Sequence, residues 1–493
     1  MASPAGANRE VAARALVWTL LESFGLSGLS VVTLVVLSRY LGPEEFGVAS
    51  VALAIVQMLV VLVERLFHDP LIQRPALGPK DAASAFTATL GLGVFLTVAV
   101  WFTAPTWGRM VGKPEMTPIL QWMSISILGA ALASVLTALH RREMVFHALA
   151  VRSLAARSSA AVIAIVMVVA GFGVWSLVAQ QVLTFTLSAA ALWWLSAVAR
   201  PKFGWNSAAV KDLLKVGIPT TLQQFIWIAN SRVFLVFAGA QLSASAVGQI
   251  ALAFRVVDMM RDMLAQAVSQ LALPLFARVE RDGGDRSSVF IKAVAMTSVS
   301  MFPVFACLAL MAPEVVEVAF GARWIPAAPY VSLLAVLTVH FFPRMFVTPL
   351  LSALGRPSSI MVGSLSQTVF MVAMFTVAAT NPSPALVMAV WAGRLLISTP
   401  IDMWFLKKLS GIGYVDQWRG AFVPALACAV AAAGVLGLQW LWTPPASAWL
   451  RLLIAVPLGA LLYVAAVQVL KPALLRELLG MVRMALARKK KSQ

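Results

Sequence analysis

The chain has 493 residues, 60% of them hydrophobic and only 12% charged, where an ordinary soluble domain carries roughly 45–50% and 25%. That excludes a water-soluble globular protein and leaves the bilayer as the main solvent. A net charge of +18 would suggest nucleic acid in a soluble chain, but in a membrane protein Lys and Arg first mark the loops that stay inside, so no nucleic-acid partner is expected.

The opening segment, MASPAGANREVAARALVW, carries arginine but no short apolar core ending in a small-residue cleavage site. The first helix is therefore expected to be retained as its own insertion signal. Spanning about 30 Å of hydrocarbon takes about 20 helical residues. Apolar runs of that length recur at 16 to 37, 46 to 66, 82 to 104, 117 to 139, 153 to 171, 174 to 197, 213 to 238, 245 to 272, 289 to 311, 326 to 352, 358 to 379, 384 to 406, 420 to 442 and 447 to 469. The fold class that follows is an all-α polytopic membrane protein of about fourteen transmembrane helices. Connections are short, the longest polar stretches lying near 198 to 212 and 273 to 288, which leaves no room for a folded soluble domain.

Loop charges set the orientation. With the N-terminus inside, the inside segments hold 28 of the 38 basic residues, among them Arg74, Lys80, Arg141, Arg142, Lys407 and Lys408; the outside loops hold Arg39, Arg109, Lys113, Arg323 and Arg451. An even number of spans then puts both termini in the cytoplasm. Past the last span, Leu475, Leu479, Val482 and Leu486 share one helical face, and the run Arg488 to Lys491 follows. That pattern reads as a basic amphipathic tail, 471–493, lying on anionic membrane lipid.

A weak duplication runs through the chain at an offset near 200 residues. Leu41 to Gly47 is matched by Leu242 to Gly248, Val111-Gly112 by Phe320-Gly321, and Ala138 to Arg141 by Ala353 to Arg356. The expected organisation is two pseudo-symmetric six-helix bundles, 1–200 (helices 1 to 6) and 201–410 (helices 7 to 12). Two appended helices, 13 and 14, fall in 411–470.

Arg232, Arg255, Arg261, Arg344 and Arg394 fall deep inside predicted spans, and a charge at the bilayer centre costs roughly 2.5–3.5 kcal/mol. In the eighth span Arg255, Asp258 and Asp262 fall at i, i+3 and i+7, so one stripe of that helix is polar. It either lines a wet cavity or is neutralised internally, Arg255 and Arg261 each with Asp258. Arg232, Arg344 and Arg394 have no acidic residue within a turn in sequence, which points to an anionic guest held by planar guanidinium forks. The other readings are a carbonyl contact for Arg344, beside Pro343 and His340, and a long-range pair with Asp402 for Arg394. Candidate substrate-binding residues are thus Arg232, Arg255, Arg344 and Arg394. Glu22, the only carboxylate deep in the first span, and Asp258 are candidates for ion coupling.

Cys307 and Cys428 lie in apolar stretches and read as reduced, buried thiols. His68, His140, His147 and His340 show no metal-ligand spacing and no Walker-type loop is present, so neither cofactor nor metal is expected.

The chain resembles the polysaccharide transporter branch of the multidrug, oligosaccharidyl-lipid and polysaccharide exporter superfamily. The resemblance runs nearly end to end and rests on Ser38 to Gly47, Leu71-Ile72-Gln73-Arg74, Phe320 to Trp324 and Leu351 to Pro357. Glu64 to Asp69 departs from it where a glycine-containing turn is expected. The resemblance implies an undecaprenyl-diphosphate-linked oligosaccharide flippase of the bacterial inner membrane, working by alternating access without ATP and not an enzyme. Its implied partners are the lipid-linked oligosaccharide, membrane lipids, and a polysaccharide polymerase and glycosyltransferases. The rivals are a cation-coupled drug antiporter of the same superfamily, which would use carboxylates rather than arginines, and a polysaccharide-assembly enzyme, which would show a long outside loop or a buried histidine.

Overall fold

The computed structural model describes residues 25–196, 198–356, 358–441 and 447–480, and every regular element among them is helical. Two compact units are formed. The first comprises 25–251 and 371–387, the second 252–370 and 388–480.

The first unit holds α1 (Gly25–Tyr40), α2 (Pro43–Arg65), α3 (His68–Gln73), α4 (Pro79–Met110), α5 (Met116–Arg142), α6 (Phe146–Val169), α7 (Trp175–Trp194) and α8 (Ser207–Gln241), with the start of α9 (Ala244–Asp282). The second holds the rest of α9, α10 (Arg286–Leu310), α11 (Ala312–Phe320), a 3₁₀ turn (Ala322–Ala327), α12 (Ala328–Arg344), α13 (Val347–Ala353), α16 (Asp416–Leu441) and α17 (Ala448–Leu470). The unit boundary also passes through α14 (Ser358–Ala378) and α15 (Pro384–Ser410).

Among the described residues, ten helices are long and apolar enough to cross a membrane. α1 and the stretch Leu365–Ala378 of α14 are shorter and apolar, while α8 and α9, 35 and 39 residues long, do not meet the same apolar standard. Exposed apolar side chains such as Phe95, Phe102, Trp194, Trp227 and Val469 suit a surface bathed in acyl chains.

The motifs that carry the resemblance are determinants of local structure. Gly42 precedes Pro43 at the start of α2, and the Glu45 carboxylate accepts from the Gly42 N–H at 3.3 Å, tying off an otherwise unpaired donor. Leu41 and Phe46 flank the turn and are fully buried. At α4 the same device recurs with Gly78, Pro79 and Asp81, at 2.9 Å. Gly112 and Gly321, matched in the duplication, both take positive φ, +68° and +96°, and end α4 and α11 in a conformation that side-chain-bearing residues resist. Trp324, three residues past Gly321, is completely buried.

Two basic residues near span ends turn out to be caps. Arg142 donates to the carbonyls of Leu71, Ile72, Arg74 and Pro75 at 2.6–3.2 Å, closing the C-terminal end of α3. Buried Lys113 donates to the carbonyls of Gly239 and Leu242 at the end of α8. Burial lowers its pKa from the usual 10.5, against the raising effect of Glu115. Nearby, α2 and α9 cross with Gly47 and Gly248 face to face. A Cβ on either glycine would overlap the other helix's backbone, so the duplicated glycines are required by the contact itself.

The beginning of the C-terminal tail, 472–480, is helical, and Leu474, Leu475 and Leu478 pack with α10, α16 and α17. Val482, Leu486 and the basic run Arg488 to Lys491 lie outside the described residues, as does Glu22.

Candidate functional site: an intramembrane arginine cluster

The second unit gathers charged and polar side chains from α9, α12, α14, α15 and α16. On α9, Arg261 pairs with Asp258 at 2.8 Å and with Asp262 at 2.9 Å, and its guanidinium carbon lies 5.3 Å from the Phe341 ring centroid. The i, i+3 spacing of Asp258 and Arg261 makes this pair a local consequence of the helix. Arg255, one turn earlier, is half-buried.

Arg394 on α15 lies flat on Trp391, its guanidinium carbon 3.5 Å from the ring centroid. Its Nε donates to the Trp391 carbonyl at 3.0 Å and its Nη1 to Gln367 Oε1 of α14 at 3.1 Å. Trp391 meets Phe254 edge to face, centroids 4.8 Å apart. Arg394 interacts electrostatically with Arg261 and Asp258, which places the α15 and α9 charges in one field. Both of these acceptors are neutral and fix the fork without cancelling its charge.

Arg344, near the end of α12, donates from Nη1 to Gln417 Oε1 at 3.2 Å and stands 3.5 Å from Asp402. Gln417 is itself fixed, because its Nε2 donates to the carbonyls of Met403 and Ile412. Asp402, weighed from sequence as a partner for Arg394, thus serves Arg344 instead. The reason is geometric: Arg394 and Asp402 are eight residues apart on one helix, while Arg344 approaches from another. His340 Nε2 lies 2.8 Å from Thr399 Oγ1, and its ring lies in the electrostatic reach of Arg344 and Arg394.

Three of the four arginines singled out from sequence, Arg255, Arg344 and Arg394, therefore belong to one unit, and Arg232 lies on α8 in the other. Gln367, Thr399 and Gln417, which hold Arg394, His340 and Arg344 in turn, were not singled out from sequence. Gln367 and Thr399 were signalled only by polarity inside predicted apolar runs, and Gln417 falls in the predicted connection 407–419, where a polar residue carries no signal.

Beside this cluster, α10, α16 and α17 enclose an apolar cavity of about 520 Å³ lined by residues such as Pro303, Leu308, Ala431 and Gly459. The free thiols of Cys307 and Cys428 face it. Tyr463 also lines it and donates to the Val299 carbonyl at 2.9 Å.

These features define a multi-pass membrane protein whose described elements are all helical. The fold matches that of the lipid II flippase MurJ in an inward closed conformation, with a TM-score of 0.76 and 12% sequence identity over 93% of this chain and 100% of that one. The chain belongs to the polysaccharide biosynthesis protein family, whose profile matches residues 36–329. It is similar to the succinoglycan biosynthesis transport protein ExoT of Rhizobium meliloti, 26% identical over 97% of this chain and 96% of that protein. It is also similar to the lipopolysaccharide biosynthesis protein WzxC of Escherichia coli, 22% identical over 65% of each.

Proposed function

We propose that the chain is a flippase that moves a polyprenyl-diphosphate-linked oligosaccharide across the bacterial inner membrane by alternating access, for exopolysaccharide, capsule or lipopolysaccharide synthesis. The observation that carries the reading is the arginine cluster within membrane-length helices of a chain similar to a polysaccharide transport protein from end to end. A lipid diphosphate cannot cross about 30 Å of hydrocarbon bare, and guanidinium forks replace the hydrogen bonds it loses to water. The apolar cavity on α10, α16 and α17 is of a chemistry that suits an isoprenoid chain.

In this reading Arg232, Arg255, Arg344 and Arg394 contact the diphosphate. Fourteen spans are reached by adding α1, α8, α9 and α14 to the ten apolar ones, with both termini cytoplasmic. Residues 1–200 and 201–410 act as two bundles with 411–470 and the tail appended. Glu22 and Asp258 are the ion-coupling candidates, and Asp258 can serve only if its pair with Arg261 opens. The chain carries no catalytic role of its own and works beside a polymerase and glycosyltransferases.

The test compares Arg→Lys and Arg→Ala variants at the four positions, at equal membrane abundance, for delivery of lipid-linked oligosaccharide to the outer leaflet. Bidentate contact predicts that lysine substitutes poorly. Parental delivery by all four alanine variants would move the diphosphate site elsewhere.

A further inference from the structure

The connection into α8 and its first turns, 198–220, hold Arg200, Lys202, Lys211 and Lys215 against one carboxylate, Asp212, a net charge of +3. The connection is pinned along α4. Phe203 packs on Phe86, ring centroids 5.4 Å apart, and the Gly204 and Asn206 N–H groups donate to Thr87 Oγ1 at 3.2 Å and to Ser84 Oγ at 2.9 Å. Asn206 Oδ1 then caps α8, accepting from the Ala208 and Ala209 N–H groups at 3.0 and 3.2 Å. Trp205 is exposed, yet its ring is fixed at this cap, because Nε1 donates to Ser207 Oγ at 2.9 Å.

Helical spacing divides the start of α8 into two faces. Val210, Leu213, Gly217 and Thr221 are buried, and Gly217 lies so close to the Leu66 carbonyl that a Cβ would overlap it. Lys211, Lys215, Ile218 and Leu222 make a second, exposed face, basic in its first turns and apolar beyond. A groove of about 390 Å³ is lined by Trp205, Val210, Leu214 and Ile218 together with Lys211 and Lys215.

The charge and the groove are of one design. Helical side chains lean toward the helix N-terminus, so the lysine stems bring their ammonium groups back toward Trp205 at the membrane surface while Ile218 and Leu222 stand deeper. The tendency of basic loops to stay inside accounts for the lysines, and the interfacial preference of indole accounts for Trp205. Neither calls for an apolar groove that leads away from two cations one turn apart. Water finds few partners on such walls, whereas an acyl chain fills them and a phosphate at its head meets the lysines. A zwitterionic headgroup would also bring an ammonium group against them, so charge complementarity favours an anionic one.

We propose that this groove binds one anionic glycerophospholipid of the bilayer, its acyl chain against Trp205, Leu214 and Ile218 and its phosphate on Lys211 and Lys215. The site lies wholly within the first unit and takes no part in the reading of the second-unit arginines.

The test uses the full-length protein in phosphatidylcholine nanodiscs, with rising mole fractions of phosphatidylglycerol or phosphatidylcholine brominated in the acyl chain. Bromine quenches indole fluorescence on contact. The chain has 16 tryptophans, so the quenching of Trp205 is taken as the difference between the parent and Trp205→Phe. Quenching of Trp205 is expected at a far lower fraction of the phosphatidylglycerol, a preference of about thirtyfold, to which each lysine contributes about fivefold. Lys211→Gln/Lys215→Gln should abolish that preference, and Lys407→Gln/Lys408→Gln, an exposed basic pair at the end of α15, should keep it. Both variants change exposed side chains only and are expected to fold. Equal quenching by the two lipids, a preference that survives the Lys211/Lys215 variant, or its equal loss in the Lys407/Lys408 variant would overturn the proposal. Quenching by neither lipid would show the groove to be covered by protein, a second copy included, and would overturn it too.

Discussion

Replacing Asp402 separates two roles for Arg344, strut and receptor. Arg344 is 10% exposed and, among the described residues, has Asp402 as ionic partner at 3.5 Å and Gln417 as neutral partner at 3.2 Å. Orphaning one member of a fully buried pair costs about 3–5 kcal/mol. Asp402 keeps 28% exposure and Gln417 stays in place, so Asp402→Asn is expected to cost about 1–2 kcal/mol. The double variant Arg344→Leu/Asp402→Leu removes both charges and should recover part of that loss, with about 1 kcal/mol remaining because Gln417 Oε1 loses its donor. Thermal unfolding of the purified variants in detergent measures the recovery as a double-mutant coupling. The double variant is expected to regain stability yet stay defective in delivering lipid-linked oligosaccharide at equal abundance. Parental delivery by that variant would show Arg344 to be a strut and refute the reasoning.

Gly248→Val places a side chain against the backbone of α2 at Pro43 and Gly47 and is expected to lower the folded yield sharply, read by fluorescence size-exclusion; a parental profile would contradict the helix crossing. Lys113→Met leaves the Gly239 and Leu242 carbonyls without their donor and should cost about 1–3 kcal/mol, visible as a lower melting temperature. Because burial depresses the Lys113 pKa, the unfolded chain binds more protons than the folded one in the window below 10.5. Stability of the parent should therefore rise as pH climbs through that window, and the Lys113→Met variant should lack this contribution. Glu22→Gln should abolish any dependence of translocation on a proton or sodium gradient, measured in vesicles with imposed gradients; unchanged dependence would make Glu22 structural.

Helix positions were legible in the sequence because a bilayer span needs a long apolar run that little else produces. The polar stripe of α9 was legible for the same reason, since Arg255, Asp258 and Asp262 interrupt such a run. Pairings across helices were not. Arg344 and Asp402 are far apart in sequence, and nothing in the one-dimensional pattern ranks Asp402's two arginine candidates. Short elements also escaped: α3, α11 and α13 are single turns or pairs of turns set off by Phe67, Gly321 and the Pro343 region, below the length at which periodicity is informative. One boundary was misplaced: α6 begins at Phe146 rather than 153, after a tight turn in which Met144 takes φ 58°, so Arg152 belongs to the helix rather than to an inside loop.

Translocation itself is measured by reconstituting the purified protein into liposomes with a polyprenyl-diphosphate-linked oligosaccharide in one leaflet. The measurement is the fraction of glycan that becomes accessible to an impermeant glycosidase on the opposite side. Translocation above protein-free liposomes is expected without ATP, reduced in the Arg344→Ala and Arg394→Ala variants. Glycan that stays protected while the same liposomes transport a cationic dye would contradict it and favour the drug antiporter.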